Sequence, residues 1–244
     1  MRSTRLPGKV IRPFFNGATL ISSLAGKLRR SKFAQHSVVM IAIPDGLPDN
    51  RLEQYAREKK ISCFRGSEDN VLERFVKAAE TRPFDLVVRI CSDNLFADVE
   101  LMDKAIEYHM ANPELDYVSF EVNGVPAMLT HFGFFSEIIR KDSLKRFYEN
   151  VAETKEDFEH VTKGIYTRPE VFRCGFIDLS EELKGAPPVR TTIDTPEDFE
   201  LVNSLYRAVS EKYPEIGYHQ VLEFLKVNPE YSETMKNQIK SNKK

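Results

Sequence analysis

The sequence has no excess of one charge, few cysteines, no long apolar run and no internal repeat. Each absence closes a class of function. With 35 basic and 37 acidic residues the formal net charge is −2, which excludes nucleic-acid binding driven by bulk positive charge. A local phosphate site remains compatible with that balance. The three cysteines, Cys63, Cys91 and Cys174, are far apart and form no C-x-x-C pair. They read as buried free thiols of a reducing compartment rather than a disulfide framework. No apolar stretch approaches the ~20 residues needed to cross a bilayer, and the first ten residues are too polar for a signal peptide. The expectation is a cytoplasmic protein with neither membrane nor nucleic-acid partners. No two histidines have the spacing of an H-E-x-x-H metal site.

What is present is a chain of 244 residues, enough to bury roughly 70–75% of its unfolded surface without staples. Apolar strand-like runs occur at Ser37–Ile43, Ile61–Phe64, Asp85–Cys91, Asp116–Phe120, Val171–Ile177 and Val189–Ile193. Several are continuous, as in strands covered on both faces of a parallel sheet. Helical patterns fall between them, at Ala18–Arg30, Asn50–Lys60, Val71–Glu80 and Val99–Asn112, the last with Asp98 as N-cap. Strands alternating with helices define an α/β class, with βαβ units and helices on both faces of the sheet. From Asn123 to Tyr166 the alternation loosens, although Asn123-Gly124 suits a hairpin turn and Thr154 suits a helix start. Thr130–Ser136 is aromatic and reads as a further strand. The expected organisation is one domain over 1–232 with an insertion near 123–166, then a polar, frayed tail over 233–244.

Four stretches carry chemistry. A nucleoside triphosphate needs cations and backbone N–H donors in a loop, and Ser3-Thr4-Arg5-Leu6-Pro7-Gly8-Lys9 offers both. Arg5 and Lys9 bring charge, while Ser3, Thr4 and Gly8 allow close backbone approach; a basic, unstructured terminus is the competing reading. Arg65-Gly66-Ser67-Glu68-Asp69-Asn70-Val71-Leu72 joins a strand to a helix, where a ligand meets a helix N-terminus. An acidic helix cap accounts for Ser67 to Asn70 equally well, but not for Arg65 and Gly66. Asp93 ends Arg89-Ile90-Cys91-Ser92-Asp93 after an apolar strand, a good place for a metal-binding carboxylate beside phosphates. In Arg190-Thr191-Thr192-Ile193-Asp194-Thr195-Pro196-Glu197-Asp198, Thr195, Pro196 and Asp198 read as a capped helix start. Asp194 stands outside that box.

These blocks together resemble the sugar cytidylyltransferases. Residues 3–9 match the family's S-T-R-L-P-G-K signature, and 65–72 are similar to the R-G-S-E-D-D-V-L block of the spore-coat polysaccharide branch. Residues 89–96 stand in the place of R-x-T-G-D-x-P-L, with Ser92 for the usual Gly and Leu95 for the usual Pro. Residues 193–199 match V-D-T-P-E-D-L, and Glu159-His160-Val161-Thr162 resembles E-H-V-T. The resemblance implies a Rossmann-like nucleotidyltransferase sheet and transfer of CMP from CTP to a sugar-acid hydroxyl, with pyrophosphate released, for surface glycan synthesis. It implies Mg2+ on Asp93 and Asp194, phosphates held by Arg5 and Lys9, and nucleotide contacts from Ser3, Thr4, Gly8, Arg65, Gly66 and Ser67. His131 and His160 become candidate substrate contacts, each with a structural role as the alternative, and a homodimer is expected.

The family also begins with an apolar strand ending in A-R-M-G, whereas Met1-Arg2 precede Ser3 here. The first central strand is therefore expected to be missing, through a start assigned to an internal methionine or through decay to an inactive homologue. Two further readings keep the fold. A nucleotide-sugar glycosyltransferase would carry D-x-D, which Asp93-Asn94-Leu95 does not supply. The other is a non-catalytic nucleotide or sugar binder.

Overall fold

The structure is a computed structural model that describes residues 6–241. Helix α1 (Leu20–Leu28) starts at Thr19, whose side chain accepts from the Ser22 amide in a capping box. A parallel pair follows, β1 (Met40–Pro44) and β2 (Ser62–Gly66), in register from Met40 opposite Ser62 to Pro44 opposite Gly66. Helix α2 (Asn50–Glu58) connects them. Helix α3 (Val71–Glu80), capped by Asn70, leads to β3 (Leu86–Arg89). Helix α4 (Val99–Ala111), capped by Asp98, leads to β4 (Tyr117–Val122).

The chain then turns back on itself. Asn123 (φ 52°) and Gly124 (φ 73°) both take positive φ, the turn that matches strand twist in a two-residue hairpin, and β5 (Val125–Pro126) pairs antiparallel with β4. Strand β6 (Glu137–Arg140) lies antiparallel between β3 and β4. After α5 (Lys141–Asn150), α6 (Lys155–Glu159) and α7 (Lys163–Tyr166), strand β7 (Cys174–Asp178) runs parallel to β4. Helices α8 (Pro196–Lys212), α9 (Tyr218–Val227) and α10 (Pro229–Ser241) complete the chain.

Neighbouring residues of the central strands face opposite ways, as the two-residue strand period requires. Val118 and Ile138 pack with Leu101, Ala105, Val202 and Leu205 in one core. Tyr117 and Ile139 pack with Leu72, Val76, Leu144 and Phe147 in the other. Helices α4 and α8 thus cover one face and α3 and α5 the other, as expected of an α/β layer fold.

Several expectations are corrected. The strands do not form one parallel sheet: β1 and β2 are a separate pair, and β6 runs antiparallel inside a five-stranded sheet. Among the described residues β1 and β3 each pair along one edge; their side chains are mostly half-buried, and Val88 is exposed. The interior strand β6 falls within the stretch 123–166 read as an insertion. Residues 130–136 and 189–193 form no strand. They are joined by the Thr191 amide to the His131 carbonyl (3.1 Å), by the Thr191 hydroxyl to the Phe132 carbonyl, and by Arg190 to the His131 ring (2.8 Å). The frayed tail is instead α10 as far as Ser241, because Met235 is fully buried in the main core. The cysteines are free but half-buried.

Glu137, on β6, is fully buried opposite Arg89 of β3 and is paired with its guanidinium. It also accepts from the Tyr117 hydroxyl (2.9 Å) and the Thr162 hydroxyl (2.6 Å). Burial, and then the Glu137 charge, push the Tyr117 phenol well above its ordinary range. Removing one member of such a buried pair strands the other charge. Glu137→Ala is expected to lower the unfolding free energy by about 3–5 kcal/mol, read by urea denaturation.

Asp157 closes the capping box of α6 with Thr154 and is paired with Arg168 (2.9 Å). Burial would raise its carboxyl, but Arg168 and the Thr154 and Glu153 amides outweigh this and hold it down to about 2. A depressed folded-state value means stability that is present above the unfolded value near ~4 and lost as the proton binds. Unfolding free energy is therefore expected to fall between about pH 4 and about pH 2, and Asp157→Asn to flatten that part of the profile.

Candidate active site

Three segments meet in one place. Gly8 takes a left-handed conformation (φ 70°, ψ 12°) that favours glycine, and it starts a short 3-10 turn over Lys9–Ile11. The turn sends Lys9 across to the end of β3, where its ammonium donates to Asp93 Oδ2 (2.6 Å). The same ammonium donates to the carbonyl of Ile193, the residue before Asp194. One cation therefore links the two carboxylate-bearing segments. Lys9 is 14% exposed and Asp93 23%, so solvent and ligand can reach the pair while part of its field escapes screening.

Lys27 of α1 supports the Asp93 loop from below. It is buried and donates to the Leu95 carbonyl at 3.0 Å. Burial pulls its ammonium down to about 8, with Asp98 opposing.

On the other side, Asp194 is held by Arg190 (2.8 Å) and keeps 29% exposure. Arg190 itself is 1% exposed. Its guanidinium donates from Nε and Nη2 to the two oxygens of Asp198 (3.0 and 2.9 Å) and from Nη1 to His131 Nδ1 (2.8 Å). Asp198 also accepts from the Asp194 and Thr195 amides, so one carboxylate caps α8 and neutralises Arg190. Burial works against both charges, yet the partners outweigh it: Asp198 is held below the ordinary carboxylate range and Arg190 above its own.

Of the candidate residues, Gly8, Lys9, Asp93, Asp194 and His131 are joined in this way. Ser3, Thr4 and Arg5 lie outside the described residues. Arg65 bonds Glu53 (2.7 Å), Asn50 (2.8 Å) and the carbonyls of Asp45 and Gly46, bracing the loop after β1. Gly66 ends β2, where a Cβ would come within 3.0 Å of Phe64. The Ser67 hydroxyl accepts from the Asn70 amide (3.0 Å), and its carbonyl accepts from Arg74. His160 is exposed at the end of α6 and makes no hydrogen bond to the other candidates among the described residues. The block that carries it is anchored instead through Val161 and Thr162, the latter on Glu137.

Sequence reasoning assigned no role to Arg190. The available signal was an arginine in an apolar run with aspartates four and eight residues later. That spacing is uninformative until the chain bends between an extended segment and a helix.

The donor set suits a hard cation. Mg2+ takes oxygen ligands, commonly one or two carboxylates, with phosphate oxygens and water completing its shell. Asp93 and Asp194 are two such carboxylates, both partly exposed, the first paired with Lys9 and the second with Arg190.

An α/β fold that joins Lys9 and Asp93, in the turn after a strand, to the segment carrying Asp194 is of the class that binds ligands beyond its strand ends. The comparisons narrow that class. The cytidylyltransferase family model matches residues 1–225, and the chain belongs to this family of nucleotidyltransferases. It is 33% identical over 233 residues to the spore coat polysaccharide biosynthesis protein SpsF of Bacillus subtilis, covering 94% of this chain and 92% of that one. A cytidylyltransferase structure from Leptospira borgpetersenii superposes with a TM-score of 0.77 at 25% identity, over 94% of this chain and 91% of that one. The CMP:2-keto-3-deoxy-manno-octonic acid synthetase, solved with CTP, shares the fold (TM-score 0.62, 14% identity, 85% of this chain and 95% of that one).

Gly133 sits where residues 131–133 meet 190–192, with φ 62° and its missing Cβ only 2.6 Å from Thr191 Oγ1. Gly133→Ala combines backbone strain with a clash. It is expected to cost about 1–3 kcal/mol in chemical denaturation and to loosen the contact that seats His131.

Proposed function

We propose that this protein transfers CMP from CTP to a hydroxyl of a sugar acid and releases pyrophosphate, as a step in surface glycan synthesis. The observation that carries the reading is Lys9 bridging Asp93 to the Ile193 carbonyl beside Asp194. A cation then joins the Asp93 turn to the segment that carries Asp194, the kind of arrangement that phosphoryl transfer needs. The family membership and the likeness to SpsF support the same reading.

In this reading Asp93 and Asp194 hold Mg2+, which when bound neutralises phosphate charge and polarises oxygen. Lys9 leaves Asp93 for the β- and γ-phosphates and stabilises the leaving pyrophosphate. Arg5 joins it, and Ser3, Thr4 and Gly8 offer backbone N–H groups along the phosphates. Arg65, Gly66 and Ser67 keep the nucleotide side of the site in shape through the loop bonds described above. His131 contacts substrate beside Asp194, and His160 is the second candidate substrate contact. Residues 1–232 act as one catalytic unit, and the segment around 125–136 selects the acceptor. The protein works as a homodimer in the cytoplasm, where CTP is supplied. No described helix is long and apolar enough to cross a membrane.

The test is pyrophosphate release from CTP and Mg2+ across a panel of octulosonic and nonulosonic acids. Release is expected with at least one acid. Asp93→Ala and Asp194→Ala should abolish it, and Lys9→Ala should slow it by roughly 10²–10³. Absence of both release and CTP binding in the folded protein would count against the proposal. Release that depends on a nucleotide sugar instead would indicate glycosyl transfer.

A further inference from the structure

Arg190 heads the fully buried side chains of the described residues by volume, and the reaction outlined above gives it no task. We propose that Arg190 is a positioning residue. One guanidinium holds Asp194 and fixes His131 as its neutral Nε2–H tautomer, presetting a metal-binding carboxylate and a ring N–H donor together. The proposal rests on the functional reading just given.

The argument begins with what a guanidinium can do. It carries five N–H donors, accepts nothing and keeps its charge at any ordinary pH. In the 2.8 Å contact between Arg190 Nη1 and His131 Nδ1, the histidine nitrogen must therefore be the acceptor. Its ring proton then lies on Nε2. An imidazolium has N–H on both nitrogens and cannot accept this bond.

The other arm fixes the carboxylate. Nη2 donates to Asp194 Oδ2 (2.8 Å) as well as to Asp198 Oδ2 (2.9 Å). Nε closes the fork on Asp198 Oδ1 (3.0 Å), and Asp198 is itself fixed at the start of α8 by two backbone amides. The Arg190 amide packs against Met235 Sδ of α10 (3.3 Å), and Thr191 clamps the chain to His131 and Phe132. The guanidinium has no room to reorient, so Asp194 and His131 keep a fixed relation. A lysine would supply the charge without the planar fork.

Nuclear magnetic resonance of the full chain with 15N-labelled histidine tests the tautomer, with His131 assigned from the signal lost in His131→Gln. The expected spectrum shows Nδ1 bare and Nε2 protonated at neutral pH. A proton on Nδ1, or averaging between tautomers, would overturn the proposal. Mn2+ titration followed by electron paramagnetic resonance, without nucleotide, tests the hold on Asp194. Arg190→Lys is expected to bind Mn2+ about 10–100-fold more weakly, the usual cost of losing a ligand's outer partner, and to lose the tautomer bias. A folded Arg190→Lys with unchanged Mn2+ affinity and tautomer contradicts the role. Should that variant fail to fold, the wild-type tautomer decides alone. If both effects appear but CTP yields no pyrophosphate, the reaction is wrong and the arrangement stands. If pyrophosphate appears without them, Arg190's role is wrong and the reaction stands.

Discussion

The site depends on one buried ion pair, Arg190 with Asp198. Both side chains are 1% exposed, and a pair so placed is stable only when its remaining hydrogen-bonding capacity is used. Here it is used twice. Asp198 caps α8 through the Asp194 and Thr195 amides, and Arg190 spends its other donors on Asp194 and His131. Helix α8, the extended segment before it and the loop at 131–133 are therefore tied at a single point. The last core helix, α10, covers that point through Met235.

The ends of the sheet deliver the opposing half of the site. Apolar strand β3 stops at Arg89, whose charge is neutralised by Glu137 within the sheet, and the chain then turns outward to present Asp93. Lys27 holds the following residues from beneath. Lys9 crosses the space between the halves. Buried Arg190 and Asp198 neutralise each other, while Asp93 and Asp194 remain partly exposed, as a site for a charged ligand requires.

Local signals were read well because their physics is local. Thr195 with Asp198, Thr154 with Asp157, Asp98 and Asn70 all cap helices where the sequence places them, and Asn123-Gly124 turns the hairpin. Non-local choices were harder. Strand β6 is only four residues long and begins with the charged Glu137, so nothing in its pattern announces an interior strand. Its glutamate is buried because Arg89 waits opposite, 48 residues away in sequence. The polar C-terminal run hid a helix anchored by Met235, with Tyr231 packed against Phe224 beside it. Site candidates were legible as blocks, through Lys9, Asp93 and Asp194. The residue that holds Asp194 and His131, Arg190, was not, because its partners converge only after folding.

The most direct measurement is a crystal structure of the protein with CTP and Mn2+. The account predicts the metal between Asp93 and Asp194, with Lys9 moved from Asp93 to the triphosphate and Arg190 still on Asp198, Asp194 and His131. Metal bound away from these carboxylates, or triphosphate bound with Lys9 still on Asp93, would contradict it.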